Sequence, residues 1–333
     1  MINKKKRPTL QDVADLVGVT KMTVSRYLRA PSQVSANMQK KISAALEELG
    51  YIPNRAPELL SNAKSHAIGV LVPSLTNQVF SEVIRGIESI TEEAGYQTML
   101  AHYGYSLEVE EQRISHLLSY HIDGLILSGS HHSARTLKMI DTAGIPVIEM
   151  MDVTSAAIQQ AVGFDNIEAS YTMVSQMISR GYQHIVYLGA RMDVRTQLKQ
   201  QGYEKAMCEH GLKPVSMMTE AHSSFTLGAQ LLQQTLAAHP QTDGIFCTND
   251  DLAIGAVFEC QRQGIAIPEK VAIAGFHGHD VGQSMVPKLA SVITPREEVG
   301  RVSAQQLIER LKGKPIKDKI IDLGFEIEPG ESI

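Results

Sequence analysis

The sequence predicts an α/β protein in two unlike parts: an all-α helix-turn-helix head joined by a short hinge helix to a two-lobed α/β body. Three observations predict it. Residues 1–64 hold eleven Lys or Arg against five Asp or Glu, a net of +6; the remainder holds 20 against 31, a net of −11, and together these give the −5 of the whole chain. A basic head on an acidic body suggests a polyanion reader joined to something else. The head carries two short capped helices around a glycine turn. The body alternates apolar strand runs with helical stripes, and the pattern restarts halfway. At 333 residues, 43% hydrophobic and 20% charged, the chain is long enough for more than one core and ordinary for a globular protein.

In the head, Thr9-Leu10-Gln11-Asp12 is a capped helix start, with a hydroxyl at the N-cap and an acid at N3. Leu10, Val13, Ala14, Leu16 and Val17 form its apolar stripe, and Gly18 ends it. Thr20 caps a second helix over 21–28, with Val24 and Leu28 inward. Pro31-Ser32-Gln33 breaks the chain. Ser35 begins a third helix to Leu49, with Met38, Ile42, Ala45, Leu46 and Leu49 inward, and Gly50 stops it. The second helix would read a DNA major groove through Lys21, Met22, Ser25 and Arg26. Lys and Arg suit guanine, and Met22 suits a thymine methyl. Thr9, Thr20, Thr23, Ser35, Tyr51 and Asn54 are neutral donors placed for phosphates, which fix register rather than sequence.

Between head and body runs Tyr51-Ile52-Pro53-Asn54-Arg55-Ala56-Pro57-Glu58-Leu59-Leu60-Ser61-Asn62-Ala63. Pro57 suits a first helical turn. The helix that follows is barely two turns long and is marginal alone in water. It is expected to order only when something packs on it.

Leu10-Gln11-Asp12-Val13-Ala14, Gly18-Val19-Thr20, Thr23-Val24-Ser25-Arg26 and Tyr51-Ile52-Pro53-Asn54 resemble the lactose-repressor/galactose-repressor family of bacterial transcription factors. The resemblance implies a homodimer on double-stranded operator DNA. It also implies a hinge helix that folds on the operator, with Leu60 from each subunit wedged into the minor groove. Such an apolar wedge unstacks a base step and kinks the duplex. Pro57 departs from the usual hinge, which often has a helix former there.

In the body, strands are expected over 66–73, 96–101, 124–128, 147–150, 184–188, 215–218, 244–247, 271–274 and 320–327. Helices are expected between them, including 108–120, 170–180, 201–210, 252–263 and 297–311. This alternation means parallel sheets with right-handed crossovers. Two such lobes resemble the periplasmic-binding-protein fold. The expected division is 1–52 head, 53–64 hinge and 65–333 core, with an N-lobe of about 65–163 and 296–318 and a C-lobe of about 164–295 and 319–333.

Ligands in open α/β sheets sit outside the C-terminal strand ends. The polar residues there include Asn77, Glu149, Asp152, Arg195, Lys199, Asn249, His277 and Arg296. The family resemblance places effector contacts on Asn77, Phe80, Arg195, Lys199, Asn249 and His277. Two residues depart from the family pattern: Lys199 stands where most members have a clamping Arg, and His277 where an acid often binds hydroxyls. A cleft aromatic near the Gly228 helix is also missing, with Ser223 there and Phe225 close by. Replacing an acid with His, and setting Arg195 and Lys199 one turn apart, is expected to make the cleft more cationic. A neutral sugar does not need that; a sugar acid does. Asn54-Arg55-Ala56-Pro57, Gly95-Tyr96-Gln97-Thr98-Met99-Leu100, Cys247-Thr248-Asn249-Asp250-Asp251 and Gly275-Phe276-His277-Gly278-His279-Asp280 resemble the gluconate-utilisation repressors within the family. Gluconate, idonate or a phosphorylated gluconate is implied as inducer.

Competing classes are weaker. No Gly-rich phosphate loop or nucleophile elbow is present, so neither an enzyme nor a cofactor is expected. His131-His132 and His277-Gly278-His279 lack metal-ligand spacing. No window of 18 apolar residues suggests a membrane span. A stand-alone sugar-binding protein would explain 65–333 but not the head. A family regulator answering to a neutral sugar or a nucleobase is the remaining alternative. The basic N-terminus has no following signal region, and Cys208, Cys247 and Cys260 are odd in number and far apart, so a cytoplasmic protein with buried free thiols is expected. No heptad tail follows the last strand, so a dimer rather than a tetramer is expected.

Overall fold

The computed structural model describes residues 7–54, 64–191 and 193–333. The chain divides into two compact units, Met1–Ser65 and His66–Ile333. In the first, α1 (Leu10–Val17) opens with a full capping box. Thr9 Oγ1 accepts from the Asp12 N–H, and Asp12 accepts from the Thr9 N–H at 2.6 Å. Gly18 closes the helix at φ 75°, a left-handed position that glycine takes without strain. Thr20 caps α2 (Lys21–Arg29), a 3₁₀ turn spans Pro31–Gln33, and α3 (Ala36–Leu49) ends at left-handed Gly50. Val13, Ala14, Val24, Val34, Ile42 and Ala45 form the core, with Tyr51 packed against it. Leu16, expected on the α1 stripe, is 47% exposed. It lies roughly a quarter turn off the row of Leu10, Val13, Ala14 and Val17.

The body holds two six-stranded sheets. The first contains β1 (Ala67–Val72), β2 (Gln97–His102), β3 (Gly124–Leu127), β4 (Val147–Met150), β5 (Ala161–Gly163) and β11 (Ile320–Asp322). The second contains β6 (Ile185–Ala190), β7 (Val215–Thr219), β8 (Gly244–Cys247), β9 (Ala272–His277), β10 (Ala290–Ile293) and β12 (Glu326–Glu328). Their orders are β11-β5-β4-β3-β1-β2 and β12-β10-β9-β8-β6-β7. Every pairing is parallel except β10 with β12. All residues of β1 and β9 are buried, as in strands covered by helices on both faces.

Three details differ from the sequence expectation. The single terminal strand over 320–327 is two strands in different sheets. β11 pairs with β5, and β12 pairs with β10 after a crossing at Leu323-Gly324-Phe325. Gly324, at φ 67°, turns the chain there. Ile320–Asp322 therefore belongs to the first lobe, not to a C-lobe running from 319. The short strands β5 and β10 were not foreseen. Cys208 is exposed, whereas Cys247 and Cys260 are buried.

The helices that position the cleft are α4 (Gln78–Glu93), α5 (Leu107–Ser119), α6 (Ala134–Ala143), α7 (Asn166–Ser179), α8 (Val194–Glu209), α9 (Phe225–Ala238), α10 (Asp250–Gln263), α11 (Asp280–Ser284) and α12 (Arg296–Leu311). Against α4 lies α12, with Gly86 and Gly300 at the crossing: a Cβ on Gly86 would meet the Glu297 carbonyl, and one on Gly300 the Val83 carbonyl. Backbone cannot give way as a flexible side chain can. Gly300→Ala is therefore expected to destabilise the body by about 1–3 kcal/mol, read as a lower urea midpoint at unchanged m-value.

Candidate functional site

On α2, Lys21, Met22, Ser25 and Arg26 fall within one arc of the helix, opposite buried Val24. Met22 is 71% exposed, and Lys21 and Arg26 are exposed. Arg29 shares this arc and was missed by sequence reading. The phosphate candidates divide in two. Thr9 and Thr20 hydroxyls already serve their helices; Thr20 Oγ1 also lies 3.0 Å from Thr23 Oγ1. Ser35 makes no side-chain cap bond and is exposed, as is Asn54, whereas Tyr51 is half-buried. Leu60 and Pro57 lie outside the described residues.

Between the lobes, two adjoining chambers share Tyr105, Asp193 and Arg195 as a common wall. The inner one, about 30 Å³, is lined by Asn77, Phe80, Arg195, Lys199, Asn249 and His277 together with Met151, Arg191, Thr196 and Thr248. The outer one, about 430 Å³, is lined by Asp152, Ser128, Ser130, His131 and Gln197 among others. Seven of the eight expected effector residues thus line this cleft.

Glu149 does not. Its side chain is buried at the end of β4, where Glu149 accepts from the Ile158 N–H and lies 3.4 Å from His132 Nε2. His132 also meets Glu110 at 3.1 Å. Burial disfavours the imidazolium, but the two carboxylates outweigh it and push the pKa up to about 9. Glu149 is thus an internal counter-ion that holds the loop behind the outer chamber. Successive residues of a strand face opposite sides. Met150 accordingly lines the outer chamber, and Glu149 beside it on the strand faces away from it.

The local folding of the inner chamber explains its geometry. Asn77 caps α4, its Oδ1 accepting from the Val79 N–H at 3.1 Å. Asn249 caps α10 in the same way through the Leu252 N–H, and donates to Ser223 Oγ at 2.7 Å. Capping fixes which end of each amide faces the chamber. Arg195, in the first turn of α8, donates to the Ser128 carbonyl at 3.0 Å and lies over the Phe80 ring. It therefore reaches from one lobe to the other. Tyr105, at φ 65°, Met151 at 79°, Arg191 at 56° and His277 at 103° all line this one chamber. Positive φ in non-glycine residues carries strain, and such strain clusters at functional sites.

Lys199 donates to the Thr248 carbonyl at 3.0 Å, lies 3.1 Å from His277 Nε2 and sits 3.9 Å above the Phe276 ring. Burial pulls its pKa down to about 7, and Arg195 and Arg191 add to this against the pull of Asp193. Burial, Lys199 and the nearby Arg296 hold His277 well below the usual histidine range. Neutral His277 accepts from Lys199 at Nε2, so Nδ1 carries the proton and donates to Thr294 Oγ1 at 3.1 Å. This corrects the expected charge of the cleft. His277 removes a negative charge without adding a positive one, and the permanent cations of the chamber are Arg195 and Arg191. The missing aromatic is answered from the other lobe. Tyr105 lines both chambers under Arg191, while Phe225 turns away to pack on Phe258.

Among the described residues no His, Cys, Asp or Glu cluster suits a metal ion, and no helix is long and apolar enough to cross a membrane.

A family model described as bacterial regulatory proteins of the lacI family matches residues 9–54. One described as periplasmic binding proteins and sugar binding domain of LacI family matches residues 65–326. The HTH-type transcriptional regulator GntR of Escherichia coli (strain K12) is 61% identical over 330 residues, covering 99% of this chain and 100% of that protein. The HTH-type transcriptional regulator IdnR of the same strain is 47% identical over 328 residues, covering 98% and 99%. A LacI-family transcriptional regulator from Silicibacter pomeroyi has a solved structure similar at TM-score 0.91 and 32% identity, covering 98% of this chain and 99% of that one.

Proposed function

The chain belongs to the LacI family and is a transcriptional regulator rather than an enzyme, and from that premise we propose that it is a dimeric, cytoplasmic repressor of sugar-acid utilisation genes, released from a palindromic operator by gluconate or a close relative. The observation that carries the effector reading is the convergence of Arg195, Lys199, His277, Asn249 and Asn77 on one chamber. The hydrogen-bond partners of Lys199 are both neutral. A carboxylate there meets Arg195's planar fork and an amine ready to take a proton. The amides and Asp152 then suit the hydroxyls. In the head, residues 1–52, α2 reads bases through Lys21, Met22, Ser25 and Arg26. Ser35, Tyr51, Asn54 and the Thr-capped helix starts meet phosphates, which makes binding strongly salt-dependent. The hinge, 53–64, folds against its dimer partner with Leu60 in the minor groove, and effector binding separates the two hinges.

Calorimetric titration with gluconate, idonate, 6-phosphogluconate and a neutral hexose tests the effector class. The reading expects an acid to bind at least about tenfold more tightly than the hexose. A hexose preferred over all three acids would reject it.

A pH dependence follows from Lys199. Its pKa near 7 rises when a carboxylate sits beside the ammonium, so binding takes up a proton between about pH 7 and the higher value in the complex. Affinity is full below about pH 7 and falls as pH rises. Titration at pH 8 in two buffers of different ionisation heat is expected to show proton uptake, and Lys199→Met is expected to abolish it.

A further inference from the structure

His277 sits on the second-lobe side of the inner chamber with a left-handed backbone, φ 103°. Its ring is held by Thr294 and Lys199. Its carbonyl is held from outside the chamber. Arg296 Nη1 donates to the His277 carbonyl, and Nη2 to the Gly278 carbonyl at 3.3 Å. Arg296 is only 7% exposed and opens α12, which packs on α4 of the first lobe. Its remaining reach goes to Glu82 on α4, with Nε to Oε2 at 3.0 Å and Nη2 to Oε1 at 2.8 Å. The same helix supplies Val79 and Phe80 to the chamber. One guanidinium thus fastens the backbone of a chamber residue in one lobe to the helix that forms the chamber wall in the other. A buried Arg is costly unless every arm is satisfied, and a planar fork of five donors does this where an ammonium does not.

We propose that Arg296, oriented by Glu82, is the positioning residue for His277 and the tie through which occupancy of the chamber is coupled to the α4–α12 helix pair. This rests on the effector reading above for what occupies the chamber, but the tie itself does not. Any shift of His277 around a bound acid must then carry α4 and α12 with it or break the fork.

The test uses the full-length chain and compares E82Q and R296K with E88Q, a control on an exposed position of the same helix. Gluconate is titrated with and without a palindromic duplex selected by the wild-type protein from a random pool. The expected result is a coupling factor reduced by about fivefold or more in E82Q and R296K and unchanged in E88Q, with the melting temperature of E82Q, which keeps an acceptor for the Arg296 fork, close to wild type. An unchanged factor in E82Q overturns the proposal. Hydrogen exchange at the Gly278 and His279 amides, without added ligand, is expected to quicken about tenfold in E82Q and R296K and to stay unchanged in E88Q. That arm decides the matter even if gluconate does not bind, a result that would count against the effector reading alone. Unchanged exchange overturns the proposal.

Discussion

Arg195→Ala is expected to weaken gluconate binding between about tenfold and a hundredfold, the worth of roughly 1.5–3 kcal/mol for a hydrogen bond to a charged group. Arg195 is the permanent cation among the cleft residues proposed to meet the effector carboxylate. It lines both chambers, and its present partners are the Ser128 carbonyl and the Phe80 face, which a carboxylate can displace, and Asp193, whose carboxylate lies 3.6 Å away and leaves the rest of the guanidinium fork for the effector. Arg195→Lys is expected to recover only part of the loss, because an ammonium lacks the two-pronged fork. Affinity for a neutral hexose should change little. Unaltered gluconate affinity in Arg195→Ala, measured by calorimetry, would remove the anionic-effector argument.

Leu60→Ala is the second large effect, and it falls on DNA. Burying a leucine contributes about 1.5–3 kcal/mol. On the proposed reading a dimer inserts two, so specific operator affinity is expected to fall on the order of a hundredfold or more. Nonspecific binding depends on phosphate contacts from the head and should keep its salt slope. Filter or fluorescence titrations over a salt series on specific and random duplexes separate the two. A parallel loss on both duplexes would contradict the wedge.

The head was legible because its signals are local. Thr9 with Asp12, Gly18, Thr20 and Gly50 each act within one turn of helix, and the structure uses each as a cap. The alternating body was legible for the same reason. Missed elements depend on distant partners. β5 is three residues long and exists because β4 and β11 flank it. The stretch 320–327 reads as one terminal strand, and only the two sheets show that Gly324 divides it. In the cleft, residue identity pointed to the chamber-lining set, but charge state did not follow from identity. Lys199 and His277 titrate as their burial and the charges around them dictate, which no sequence window contains. Glu149 and Arg296 show the complementary limit. The first joined the candidates by proximity along the strand and points into His132. The second stood among the cleft's polar residues, yet its reach to Glu82 crosses 214 positions of chain.

The central claim is that chamber and operator report on one equilibrium. Coupling between two ligands is a shared free energy, so each must change the other's affinity by the same factor. The direct measurement is gluconate affinity of the full-length protein, alone and saturated with operator, alongside operator affinity with and without saturating gluconate. Both affinities are expected to fall, and by equal factors, typically between about fivefold and 150-fold. Gluconate affinity that is identical with and without operator would contradict the claim.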